Sequence, residues 1–167
     1  VDPLLAPLVD ARPGLRVPGA VNGFEFAVRA IIGQQISVAG ARTLVGRLVT
    51  VLGEPLATSD GSLTHTFPSP EAIAEADMNG LGITTKRITA LQALAQSVAR
   101  QELVLDASAD REETATRLQA LPGVGPWTAA YIAMRALSDP DAFPASDLGL
   151  RRAFEQHGLA ADMKSIM

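Results

Sequence analysis

Between residues 121 and 132 the chain reads LPGVGPWTAAYI, and three kinds of chemistry lie in or just beyond this stretch. Gly123 and Gly125 allow positive φ and close approach of another surface. A helix that restarts after them exposes N–H groups at its positive end, which is a ready site for an anion such as a phosphate. An ordinary short connection between two packed helices uses the same residue types, so both readings stand at this point. Trp127 and Tyr131, the only tryptophan and tyrosine, are spaced to share one helix face. They either pack in the core or offer rings to stack against. Further on, Ser146 precedes DLGLRRAFEQHG and Asp147 opens it; either is a natural helix cap, with Ser146 the expected one, and Asp147 also supplies a carboxylate.

Other positions are candidates for contact. Gln34 and Gln35 lie between two strong helical patterns, either as a polar turn or as a contact. Thr84, Thr85, Lys86 and Arg87 open a helix with hydroxyls and two cations, either as a cap or facing backbone phosphate. Arg151 and Arg152 follow Asp147 and are either solvated or turned toward a polyanion.

The elements that must position these groups read as helices. Residues 1–21 hold Pro3, Pro7, Pro13 and Pro18 and read as an irregular lead-in. Asn22 caps FEFAVRAIIGQQI, with Phe24, Val28, Ile31, Ile32 and Ile36 at helical spacing. Ser37 caps VAGARTLVGRLVTVLG, which stops at Gly53. Residues 54–68 read as a loop. Ser69-Pro70-Glu71 starts a short helix, and Leu81-Gly82 ends that apolar segment. Thr84 or Thr85 caps KRITALQALAQSVARQ, and Ser108 or Asp110 caps REETATRLQAL. Residues 110–137 thus form helix, tight turn, helix. The expectation is an all-α fold of six to eight helices with almost no sheet, divided into the lead-in and a helical core over 22–167. Both ends read as cut from a longer chain.

Composition narrows the function classes. The chain has 167 residues and is 47% hydrophobic, but no apolar run has the length of a membrane span. Without cysteine it holds no disulfide, thiolate zinc site or cysteine-ligated iron–sulfur cluster. With only His65 and His157, a histidine-rich metal site is not expected. The net charge of −4 argues mildly against a polyanion partner, although a local cluster can bind phosphate on an acidic protein.

LPGVGPWTAAYIAMRAL followed by FPASDLGL resembles the helix-hairpin-helix (HhH-GPD) DNA glycosylase superfamily. FEFAVRAIIGQQISVAGART, ARPGLRVPG and LGITTKRITALQALA are similar to its DNA-3-methyladenine glycosylase II (AlkA-type) branch, and the likeness runs over roughly residues 10–158. The resemblance implies a multi-helix glycosylase of base excision repair that flips out an alkylated purine such as 3-methyladenine in duplex DNA and hydrolyses its N-glycosidic bond. By the same resemblance Asp147 is catalytic, stabilising positive charge on the sugar and helping a water add. Trp127 and Tyr131 line the base pocket, where an electron-poor base stacks much as a cation does.

The resemblance also places Gly123, Val124, Gly125, Gln34 and Gln35 at the DNA, with Gln35 filling the gap left by the flipped base; Thr85 and Lys86 are DNA-facing candidates by their own hydroxyl and charge. The branch's namesake has an apolar residue at that position. Superfamily members that also cut the backbone carry a lysine where this chain has Trp127, and no lysine lies in 88–163, so a monofunctional enzyme without a lyase step is expected. No cofactor is expected beyond a monovalent cation, Na⁺ or K⁺, held by the carbonyls of Gln119, Leu121 and Val124. The resemblance further implies a bacterial, cytoplasmic, nucleoid-associated monomer with a β-rich domain before the helices and more helices after them. The alternatives are a glycosylase for another base such as uracil, and a non-catalytic DNA-binding module that uses the hairpin alone.

Overall fold

The computed structural model describes residue 3 and residues 5–157. The part of the expected core drawn over 158–167 lies outside the described residues. Eight helices occur among the described residues: α1 (Ala6–Ala11), α2 (Gly23–Ile32), α3 (Val38–Leu52), α4 (Pro70–Glu75), α5 (Thr85–Ala99), α6 (Arg111–Ala120), α7 (Pro126–Ala136) and α8 (Leu148–Gln156). They form the expected all-α fold. No helix among the described residues is long and apolar enough to cross a membrane.

The helix starts follow local chemistry. The side chains of Asn22, Ser37, Ser69 and Asp110 accept from the N–H groups of Glu25, Gly40, Ala72 and Glu113. Each satisfies one amide that has no partner inside its helix. Thr84 takes the capping position of α5 but makes no side-chain capping bond.

α2 is the centre of the fold. Phe24, Ala27, Val28, Ala30, Ile31 and Ile32 are all buried, and the helix packs against α3, α5 and α7. A helix buried over so much of its surface needs apolar residues beyond a single stripe. Ala129 and Ala133 of α7 are buried small residues that let its backbone come close. α6, the first arm of the hairpin, is different: only Thr114 and Leu118 are buried, and it packs on α7 with a largely polar surface.

Two segments depart from expectation. The loop over 54–68 contains an antiparallel hairpin, β1 (Pro55–Asp60) paired with β2 (Leu63–His65), with Asp60 opposite Leu63 and Gly61 at φ 57° in the turn. Every residue of β1 is exposed, so no buried face exists to print a period-2 pattern on the sequence. The irregular lead-in contains α1, which starts with a proline in its first turn and buries nothing.

Gly23 explains how tightly α2 is seated. A β-carbon there would sit 1.8 Å from the Leu105 carbonyl oxygen, although the residue's φ is not left-handed. Gly23→Ala is therefore expected to destabilise the protein by about 2–3 kcal/mol through overpacking. A thermal melt checks this, with a fall in Tm of about 5–10 °C for a domain of this size.

Candidate active site

α6 ends at Ala120, and the turn that follows is closed by Val124 donating its N–H to the Leu121 carbonyl. Gly123 takes φ 77°, which only glycine adopts freely. Its β-position is 3.4 Å from the Ala90 Cβ, so the hairpin rests on α5. Gly125 behaves otherwise: at φ −88° and ψ 174° its backbone is extended, which any residue allows. Its value is space, because a β-carbon there would meet nothing within 4 Å. Pro126 has no N–H, and the amides of Gly125, Trp127 and Thr128 have no partner among the described residues. Three donors therefore stand at the positive end of α7 beside an open approach.

Twenty residues beyond Trp127, Asp147 caps α8. Its Oδ1 accepts from the Gly149 and Leu150 amides at 2.8 and 3.2 Å. The expected cap, Ser146, does not take that position: the Asp147 N–H donates to the Pro144 carbonyl, a turn that carries Ser146 past as an exposed residue. The Trp127 indole Nε1–H donates to Asp147 Oδ2 at 3.0 Å. Three N–H donors thus hold a half-buried carboxylate, two on one oxygen and one on the other.

Trp127 and Tyr131 stack with centroids 5.1 Å apart and planes 16° apart. Tyr131 also meets Phe26 at 5.2 Å. The Arg135 guanidinium lies 5.3 Å from the Phe26 ring centre and 5.9 Å from that of Tyr131, a cation on two ring faces. The aromatic wall is therefore layered, with Trp127 nearest the carboxylate. Sequence reading missed Phe26 and Arg135. Arg135 had a signal, since it continues the four-residue spacing of Trp127 and Tyr131 along α7.

Asp147 sits where three clefts meet. One, of about 380 Å³, is lined by Arg29, Ile36, Val38, Arg42, Trp127 and Tyr131. A second, of about 510 Å³, runs past Gln34, Gln35, Gly123, Gly125 and Thr128. A third, of about 730 Å³, lies toward Arg16, Val17, Met134, Phe143 and Leu150. Arg29 and Arg42 were also missed. Their place in the site comes from α2 and α3 packing, not from a motif.

The remaining predicted residues divide. Gln35 is exposed, at φ 56°. Gln34, grouped with it as DNA-facing, turns inward: its Nε2 donates to the Gly123 carbonyl at 3.1 Å and to Thr128 Oγ1 at 2.9 Å. Arg87 donates to the Gln34 carbonyl. Thr85 and Lys86 are exposed in the first turn of α5, and the Lys86 carbonyl lies 3.9 Å from the Gly123 β-position. Arg151 and Arg152 are exposed on α8. Gln119, Leu121 and Val124 span the end of α6 and the turn. Among the described residues, no cluster of His, Asp and Glu could hold a metal ion.

The contrast between the two glycines makes a test. Gly125→Ala is expected to leave stability within about 0.5 kcal/mol, since its methyl enters open space. On the phosphate-binding reading of the three amides, it should weaken duplex DNA binding by about tenfold by blocking the approach to them. Gly123→Ala should instead cost about 1–2 kcal/mol in a denaturant melt, from its left-handed backbone. Fluorescence anisotropy and chemical denaturation together check the split.

Comparison with known proteins agrees with this geometry. The family described as HhH-GPD superfamily base excision DNA repair protein matches residues 28–166. The chain is 50% identical over 165 residues to a probable bifunctional transcriptional activator/DNA repair enzyme AlkA of Mycobacterium tuberculosis, covering 99% of this chain and 33% of that protein. It is 40% identical over 157 residues to DNA-3-methyladenine glycosylase 2 of Escherichia coli, covering 92% of this chain and 55% of that one. Among solved structures, a 3-methyladenine DNA-glycosylase from Archaeoglobus fulgidus superposes with a TM-score of 0.73 at 30% identity, over 91% of this chain and 52% of that one. The chain thus spans between a third and just over half of the curated relatives named here. With a glycine hairpin feeding the helix that carries Trp127, and Asp147 fixed beside it, the chain belongs to the HhH-GPD superfamily of base excision DNA repair proteins.

Proposed function

We propose that this chain is the catalytic core of a monofunctional DNA glycosylase that removes alkylated purines such as 3-methyladenine from duplex DNA. The observation that carries the reading is the Asp147 carboxylate, held by three N–H donors at the junction of three clefts and beside the Trp127 ring. Relatives named as 3-methyladenine glycosylases support the substrate class.

Each part has one task. The amides of Gly125, Trp127 and Thr128 take a backbone phosphate, aided by the α7 dipole. Gln35 fills the gap in the duplex, and Thr85 and Lys86 lie beside the hairpin to meet neighbouring phosphates. The flipped base stacks on the layered wall headed by Trp127. Its electron deficiency suits electron-rich rings.

The C1′–N bond then breaks and its electron pair leaves with the base. Positive charge grows on the sugar, and the fixed Asp147 carboxylate faces it. A water oxygen bonds to C1′ and gives up its proton, with Asp147 the nearest acceptor. An indole cannot form a Schiff base with the sugar, so Trp127 supports hydrolysis without strand cleavage.

A Na⁺ or K⁺ ion would fit the carbonyls of Gln119, Leu121 and Val124. The end of α6 carries its helix's negative pole, and the Leu121 oxygen, which accepts one N–H, keeps a second lone pair. The ion would neutralise that pole beside the phosphate.

Release of 3-methyladenine from methylated duplex DNA tests the reading. Asp147→Asn should slow release by about 10²-fold or more while duplex binding persists. Neither protein releasing the base, with binding intact, would point to another lesion or to a pure binding module.

A further inference from the structure

Gln34 ties together the three elements assigned to DNA through hydrogen bonds from both its side chain and its main chain. Its side-chain amide spends both N–H groups on the hairpin, one on the Gly123 carbonyl and one on Thr128 Oγ1. Its main-chain carbonyl accepts from Arg87, in the first turn of α5. The hairpin in turn sits on α5 through the contact of Gly123 with Ala90. The result is a closed triangle: the α2–α3 turn, the phosphate-binding hairpin and α5.

The next residue, Gln35, is exposed and left-handed at φ 56°, a backbone state that costs a non-glycine residue energy and persists only when its surroundings impose it. The Ile36 N–H closes a turn across it onto the Gly33 carbonyl, and the bonds of Gln34 fix the residue before it. With the Gln34 side chain anchored to the hairpin and its carbonyl anchored to Arg87, the turn that carries Gln35 is held against the hairpin and α5.

We infer that Gln34 is a positioning residue that couples phosphate grip to gap filling. It sets the distance between the amides of Gly125 and Thr128, which hold the backbone, and the Gln35 side chain, which enters the duplex. Thr128 has a double part in this: its amide faces the phosphate and its hydroxyl receives Gln34. The inference rests on the glycosylase reading for the meaning of the two ends, and its test is chosen to be read without base release.

Gln34→Met removes both N–H donors at nearly constant volume, and Thr128→Val removes one acceptor. Each is made in the full-length protein, and thermal unfolding checks that it folds. The probe is a duplex with 2-aminopurine opposite a tetrahydrofuran abasic site, whose emission rises when the gap is entered. In Gln34→Met, affinity for undamaged duplex should stay within about threefold of the parent, with the same slope against log salt, whereas Thr128→Val, which borders the phosphate site, is read on emission alone. The emission gain should fall about fivefold, and base release from bound complex about tenfold, without a matching change in KM. An emission gain equal to the parent's would overturn the inference. So would emission and duplex affinity falling in parallel, which would make Gln34 a DNA contact or a general support. A parent that binds and raises emission but releases no base would sink the glycosylase reading alone, and the coupling would then be decided on emission.

Discussion

The arrangement depends on one hydrogen bond, from the Trp127 indole to Asp147 Oδ2. α8 buries no residue of its own, so the core does not fix where its first residues point. What fixes them is polar: two amides of the first turn on Oδ1, and the indole on Oδ2. A bond of this kind to a charged group contributes about 1.5–3 kcal/mol. It also ties the carboxylate to the helix that starts at the hairpin. The group that would face the sugar and the group that would hold the phosphate are therefore set by the same element, α7.

Charge had argued mildly against a polyanion partner, and the structure shows why the net value of −4 is a poor guide. Several cations serve internal contacts. Arg29 pairs with Glu25 and Arg117 with Glu113. Arg47 and Arg87 donate to main-chain carbonyls, and Arg135 lies on the rings behind the pocket. In the proposed reading the grip falls instead to main-chain N–H groups, which appear in no count of lysine and arginine. A protein built this way would show a shallow salt slope for its charge inventory.

Much of this was legible in the residues. The spacing of Phe24, Val28, Ile31 and Ile32 marks a buried helix because burial imposes the period. Asn22, Ser37 and Ser69 mark helix starts because a cap bond spans only three residues. Trp127 and Tyr131 share a face for the same local reason. What stayed hidden depends on distant partners. Gln34 meets the hairpin 89 and 94 residues away, and nothing near it in sequence says that its amide turns inward. Phe26 joins the aromatic wall only because α2 packs on α7. The Ser146 cap failed on a local turn that two adjacent capping residues could equally have served. The exposed β1–β2 hairpin uses the same Gly, Ser, Thr and Pro as a loop, and lacks the buried face that would have told them apart.

Trp127 is the only tryptophan in the chain, so its indole gives a single N–H resonance from these residues. The most direct test of the account is that resonance in nitrogen-15 NMR, with and without Asp147→Ala. An indole proton bonded to a carboxylate should be shifted downfield and slow to exchange. Both features should disappear in the variant while the backbone spectrum of α2 and α7 stays in place. An indole signal that exchanges freely in the parent, or that ignores the loss of Asp147, would contradict the account at its centre.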